Sequence, residues 1–116
     1  MIEKITRDHL AGYMSVPVAV ERAENPPEEF VLIERTGGSE ENHIRRATIA
    51  VQTYAKSLYR AAYLMEEAIK AMLELPRLNA VSRAKLQRYY NFTDTTAKQY
   101  RYQGVFDLVY YPETEE

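Results

Sequence analysis

Three stretches of the chain alternate apolar and polar positions with the period of two that a half-buried strand requires, and one repeats apolar positions at helical spacing. The longest alternating stretch is the last. Tyr100, Tyr102, Gly104, Phe106, Leu108 and Tyr110 fall on one face, and Arg101, Gln103, Val105, Asp107, Val109 and Tyr111 on the other. Before it, Leu78, Ala80, Ala84 and Leu86 alternate with Val81, Arg83, Lys85 and Gln87, and Asn91 to Ala97 supplies a turn of locally hydrogen-bonding residues. Residues 78–111 thus read as two long strands joined by a polar turn. At about 3.3 Å per residue, the run from Lys98 to Tyr111 spans roughly 46 Å. A compact domain of this size is only about 35 Å across. The strand is therefore expected to bend or to project beyond its own domain, with the tip from Tyr89 to Arg101 packing on a partner.

The helical repeat runs through Leu58, Ala61, Ala62, Met65, Ala68, Ile69, Met72 and Leu73. Ser57 suits the N-cap and Pro76 the stop. Upstream, Ile44 to Ala55 predicts a strand with Ala47, Ile49 and Val51 on one side and Thr48, Ala50, Gln52 and Tyr54 on the other. Phe30 to Thr36 predicts a strand buried on both faces, followed by a turn at Gly37-Gly38-Ser39 and an acidic loop at Glu40-Glu41-Asn42. Val16 to Glu21 predicts an edge strand because Pro17 lacks an N–H, and Ile2 to Met14 a short amphipathic helix on Ile2, Ile5, His9 or Leu10, and Tyr13. Asn25-Pro26-Pro27 is a stiff connector, and Glu113 to Glu116 an acidic tail. The expected fold is one α+β domain over 1–116. Its elements run α-β-β-β-α-β-β, with a mainly antiparallel sheet of about five strands, the long helix on one face and a short N-terminal helix.

Composition narrows the function classes. The chain has 116 residues, enough for one core, with 15 Lys and Arg against 17 Asp and Glu and a net charge of −2. A dedicated nucleic-acid binder usually shows a basic excess. There is no cysteine, which removes disulfide frameworks, zinc thiolates and cysteine nucleophiles. No apolar run approaches the length needed to span a bilayer, and Met1 to Leu10 lacks the apolar segment of a signal peptide. A cytoplasmic, non-membrane protein is expected.

Candidate chemistry is sparse. His9 and His43, the only histidines, stand far apart in the sequence. Gly37-Gly38 has no following Lys-Ser/Thr, so no phosphate loop is formed, and Ser39 lacks the flanks of a nucleophile elbow. The pairs Glu28-Glu29, Glu40-Glu41 and Glu66-Glu67 diverge on any regular element and read as solvated. No catalytic, cofactor or metal residue is assigned, and no enzyme is expected. Arg83, Lys85, Arg88, Lys98 and Arg101 interleave with Tyr89, Tyr90, Tyr100 and Tyr102. That pattern fits a protein interface, where Tyr and Arg are enriched. It also fits, less well at this net charge, a stacking platform for single-stranded nucleic acid.

Two segments carry a resemblance: FVLIERTGGSEENHIRRATIAVQTYAKSLYRAAYLMEEA, at 30–68, and YNFTDTTAKQYRYQGVFDLVYY, at 90–111. In element order and segment character the chain resembles the tail terminator (minor tail, tail completion) proteins of long-tailed phages and of prophages in Gram-positive bacteria. The resemblance implies a ring, commonly a hexamer, that caps the tail tube and ends its polymerisation. The ring would offer a joining surface to the head-side connector, with the protein in the virion tail and, during assembly, in the host cytoplasm. A head–tail connector or head-closure component, and a nucleic-acid module using the Tyr/Arg hairpin, are the alternatives. A ring needs two different complementary patches per subunit. The expected interface residues are Glu40, Glu41, Arg45, Arg46, Arg88, Tyr89, Phe92, Asp94, Tyr100 and Arg101, with the acidic loop meeting Arg45-Arg46 or the Arg83/Arg88/Arg101 surface of a neighbour.

Overall fold

The computed structural model describes residues 1–111; the acidic tail lies outside them. Helix α1 (Ile2–Tyr13) is followed by strands β1 (Val18–Ala19), β2 (Phe30–Glu41) and β3 (Ile44–Ala55). Then come helix α2 (Leu58–Leu73), a 3₁₀ turn (Leu75–Arg77) and strands β4 (Val81–Asn91) and β5 (Tyr100–Tyr110). The sheet order is β1-β2-β3-β5-β4, antiparallel except for the parallel β1/β2 pair. Both helices lie on one face, α2 across β3 and β5 with α1 beside it, so the fold is α+β as the element order implies.

The expectation that the last strand outruns its domain is corrected. The domain is itself elongated, 44 × 24 × 23 Å. Strand β3 pairs with β5 along its whole length, from Arg45↔Tyr110 to Ala55↔Tyr100. The strand is long because its neighbour is equally long. The turn expected at Gly37-Gly38-Ser39 is also corrected. Those residues continue β2, opposite Thr48, Ala47 and Arg46, after a bulge between Arg35 and Gly37. The reversal falls at Asn42 and His43, with φ of 52° and 63°. Two successive left-handed residues give the two-residue hairpin turn whose twist matches its strands.

Other differences concern which positions face the core. The stretch Val16 to Glu21 contributes only two strand residues, and the Pro17 carbonyl accepts a bond from the Val31 N–H at 2.8 Å. Strand β4 starts at Val81 rather than Leu78. A bulge between Val81 and Arg83 puts Val81 on the same face as Ala84 and Leu86, against the simple alternation, and a second follows Leu86. Burial in β2 ends at Ile33, with Glu34 to Thr36 exposed, so this strand is not covered on both faces. On α2 the buried stripe is Ala61, Leu64, Met65, Ala68, Ala71 and Met72, while Leu58 and Leu73 are exposed. On α1 it is Ile2, Thr6 and Leu10, with Tyr13 half exposed. Ser57 caps α2, its hydroxyl accepting from the Arg60 N–H at 3.1 Å.

The core lies between α2 and the helix-facing side of the sheet, where Ile49, Val51, Phe106, Leu108 and Tyr110 are fully buried. The segment 20–29 is clipped to the rest by charge. Glu29 accepts two bonds from Arg60, both at 2.9 Å, and Glu28 meets Lys56 at 2.7 Å. These carboxylates are ion-paired rather than merely solvated. His9 is partly buried, its ring nitrogen Nε2 2.7 Å from the Ala71 carbonyl.

Candidate assembly surfaces

The sheet face away from the helices is open, and period two decides what lines it. Leu32, Glu34, Thr48, Ala50, Gln52, Gln103, Val105 and Asp107 fall there. Their polar members bond to one another in a chain across three strands. Arg101 Nη1 donates to the Tyr54 hydroxyl at 3.2 Å, and that hydroxyl donates to Gln52 Oε1 at 2.8 Å. Gln52 Nε2 donates to Gln103 Oε1 at 2.7 Å, and Gln103 Nε2 to the Tyr90 hydroxyl at 2.5 Å. Further along, Asp107 accepts from Gln87 and from Thr48. Alternation alone put these residues on shared faces. Which of them touch depends on strand register, which the sequence does not display.

The expected interface residues spread along the sheet, with Glu40, Glu41, Arg45 and Arg46 at one end, Phe92, Asp94, Tyr100 and Arg101 at the other, and Arg88 and Tyr89 between them at the levels of Val105 and Gly104. The two ends stand ten residue steps apart along β5, roughly 33 Å. At one end is the β2–β3 hairpin. Glu40 and Arg45 face each other there, and Arg45 Nε donates to Glu40 Oε1 at 3.2 Å. The acidic patch and its basic counterpart thus partly neutralise each other within one chain. The expectation that Glu40 meets Arg45 across a ring loses its main motive. Glu41 pairs in the ladder with Ile44 and is exposed, and Arg46 is exposed opposite Ser39.

At the other end is the β4–β5 loop. Phe92 and Tyr100 are partly exposed aromatics there, as is Tyr89 nearer the middle of the sheet. Arg101 is spoken for internally. Its Nε donates to the Phe92 carbonyl at 2.7 Å, and its guanidinium lies 4.5 Å from the Phe92 ring centroid and 5.7 Å from that of Tyr54. Asp94 builds the loop, its carboxylate accepting from the Thr96 and Ala97 N–H groups. Lys98 takes φ of 53° where the chain re-enters β5, so the strand begins at Tyr100 and not at Lys98. Arg88 stands 5.9 Å from the Tyr90 ring centroid, on the open face. Phe30 stacks on Tyr54 at 4.4 Å, and both are buried, so neither offers a free ring to a base.

Of the expected basic residues, Arg46 and Arg83 come together with Lys85, which the expected interface did not include. Arg46, Arg83 and Lys85 line a depression of about 530 Å³ on the open face together with Ser39, Thr48 and Asp107. Among the described residues no group of three or more His, Asp or Glu side chains converges as a metal site would require. No helix among the described residues is long and apolar enough to cross a membrane. No protein-family model matches the chain, and no curated protein matches it in sequence.

Proposed function

We propose that this protein is a structural component of a phage or prophage tail. In this reading it assembles with copies of itself into a ring on the end of the tail tube, stops tube growth and presents a joining surface to the head-side connector. One observation carries the reading. The sheet is long, covered by helices on one face only, and bounded at both edges by strands with no further strand partner among the described residues. That is more bonding surface than a lone chain uses. The resemblance carried by residues 30–68 and 90–111 supplies the class of assembly that such a surface would serve. The Tyr/Arg hairpin supports nucleic-acid binding less well, because Arg101, Tyr54 and Tyr90 already bond to one another's network.

The test is tube growth. Added to polymerising tail-tube protein, the chain should shorten the tubes as its molar ratio rises. An unchanged length distribution at equimolar protein would overturn the proposal.

A further inference from the structure

The two edges of the sheet carry opposite charge, and each has an unoccupied stretch at the same level. At one edge, β1 pairs with β2 only at Val31 and Leu32. From Ile33 to Glu41 the outer side of β2 has no strand partner among the described residues. That stretch exposes Glu34 and Glu41 on the open face, while Arg35 and Glu40, also exposed, lie in helix-facing rows and are ion-paired to Glu3 and Arg45. At the other edge, β4 is outermost and exposes Arg83, Lys85 and Arg88. Glu34, Glu41, Arg83 and Lys85 make no ion pair with any described residue, and Arg88 none either, its guanidinium donating to Gln87 at 3.3 Å and standing 5.9 Å from the Tyr90 ring centroid.

Strand direction and pleat agree with these charges. Three successive antiparallel pairings, β2/β3, β3/β5 and β5/β4, make β4 antiparallel to β2. A second copy in the same orientation, laid alongside, therefore offers its β4 to this chain's β2 as an antiparallel partner. The register gives the rows. Glu34, Ala50, Val105 and Arg88 lie at one level, and Ser39, Arg46, Val109 and Arg83 at another. Residues of one row project to the same face, here the open one. At matched level, Glu34 of one copy meets Arg88 of the next, and Glu41 lies one diagonal step from Arg83, within reach of long side chains. The regular ladder segments Gly37–Glu41 and Arg83–Leu86, each clear of its strand's bulges, fall at overlapping levels.

We infer that copies of this chain associate edge to edge, with the acidic outer edge of β2 on one copy against the basic outer edge of β4 on the next. The contact is head to tail, so it generates a ring where the rotation closes. The same charges select against the wrong contacts. Two β2 edges would bring Glu34 and Glu41 against each other, and two β4 edges would oppose Arg and Lys, which costs stability and favours the mixed pairing. In the isolated chain they also guard both edges against indiscriminate strand addition. This inference rests on the self-association in the proposed function and names the surfaces that would carry it.

The test uses charge reversal and crosslinking. Glu34→Lys with Glu41→Lys, or Arg83→Glu with Arg88→Glu, should each abolish the assembled species in light scattering at low salt. The four changes together should restore it, which also controls for folding. The chain has no cysteine, so Glu34→Cys with Arg88→Cys should give an intermolecular disulfide ladder on oxidation, and Glu34→Cys alone should give at most a dimer. If the parent chain assembles while the reversals change nothing and the double-cysteine variant does not crosslink, the edge assignment is overturned and the ring stands. If the chain remains monomeric at every concentration and forms no ladder, self-association fails as well.

Discussion

Gly104 and Phe106 sit one pleat apart on the core face of β5, and their coupling measures how closely α2 is seated on the sheet. A Cβ added at Gly104 would lie 3.0 Å from Met65 Sδ and 3.0 Å from Phe106 Cε1. The Met65 thioether can swing aside, because methionine is flexible. The Phe106 ring cannot, since it is fully buried between Ile49 and Leu86 of the flanking strands. Gly104→Ala should therefore cost about 1–2 kcal/mol of overpacking. The loss of glycine entropy offsets about 0.5 kcal/mol of that. Phe106→Ala should cost about 3–5 kcal/mol through lost burial and the cavity it leaves. In the double variant the ring that crowds position 104 is gone, so Gly104→Ala becomes neutral or stabilising by about 0.5 kcal/mol. The cycle should show a favourable coupling of about 1 kcal/mol. Urea unfolding reads it directly: at a slope of about 1.5 kcal/mol per molar, Phe106→Ala lowers the midpoint by roughly 2–3 M. Additive single changes, within about 0.3 kcal/mol, would show that the ring does not crowd Gly104 and would refute this packing.

Ser57→Ala should cost about 1 kcal/mol, because the α2 cap to Arg60 is lost, with the drop seen in thermal melting and no change in secondary structure. His43→Gly should stabilise the fold by about 0.5–1 kcal/mol, since His43 holds a left-handed φ that glycine adopts freely. An unchanged or lowered melting temperature would speak against the two-residue turn. Glu29 has its pKa lowered below the usual 4.5, first through hydrogen bonding to Arg60. Its contribution is then present above the unfolded value and is lost as pH falls through the folded one. Glu29→Gln should be less stable than the parent at pH 7, and the difference should shrink below pH 4.5. A difference independent of pH would mean that the Arg60 contact contributes nothing through charge.

The sequence is most legible where one physical signal dominates. Period two named the faces of β3 and β5, and the helix spacing with Ser57 placed α2, because both patterns follow from burying one side of a regular element. The misses have local causes. Gly37-Gly38 reads as a turn, yet glycine also suits a strand just past a bulge, and the reversal was taken by Asn42 and His43 instead. In β4, bulges after Val81 and after Leu86 reset the parity, which no count of alternating letters can register. The length of β5 suggested projection only because the domain was assumed to be round. On the candidate surfaces, Arg101 and Asp94 stood out by charge and are consumed within the loop. Glu34, on the open edge of β2, was hidden inside an apolar run. Edge strands, free charges and the Gln52–Gln103 bond are properties of strand order and register, which arise between distant segments rather than within them.

The proposed role makes this chain a ring that caps a tail tube. Electron microscopy of purified tail tubes incubated with the protein tests it most directly. A ring should then sit on tube ends and be absent from the same tubes without the protein. Bare tube ends at saturating protein would contradict it.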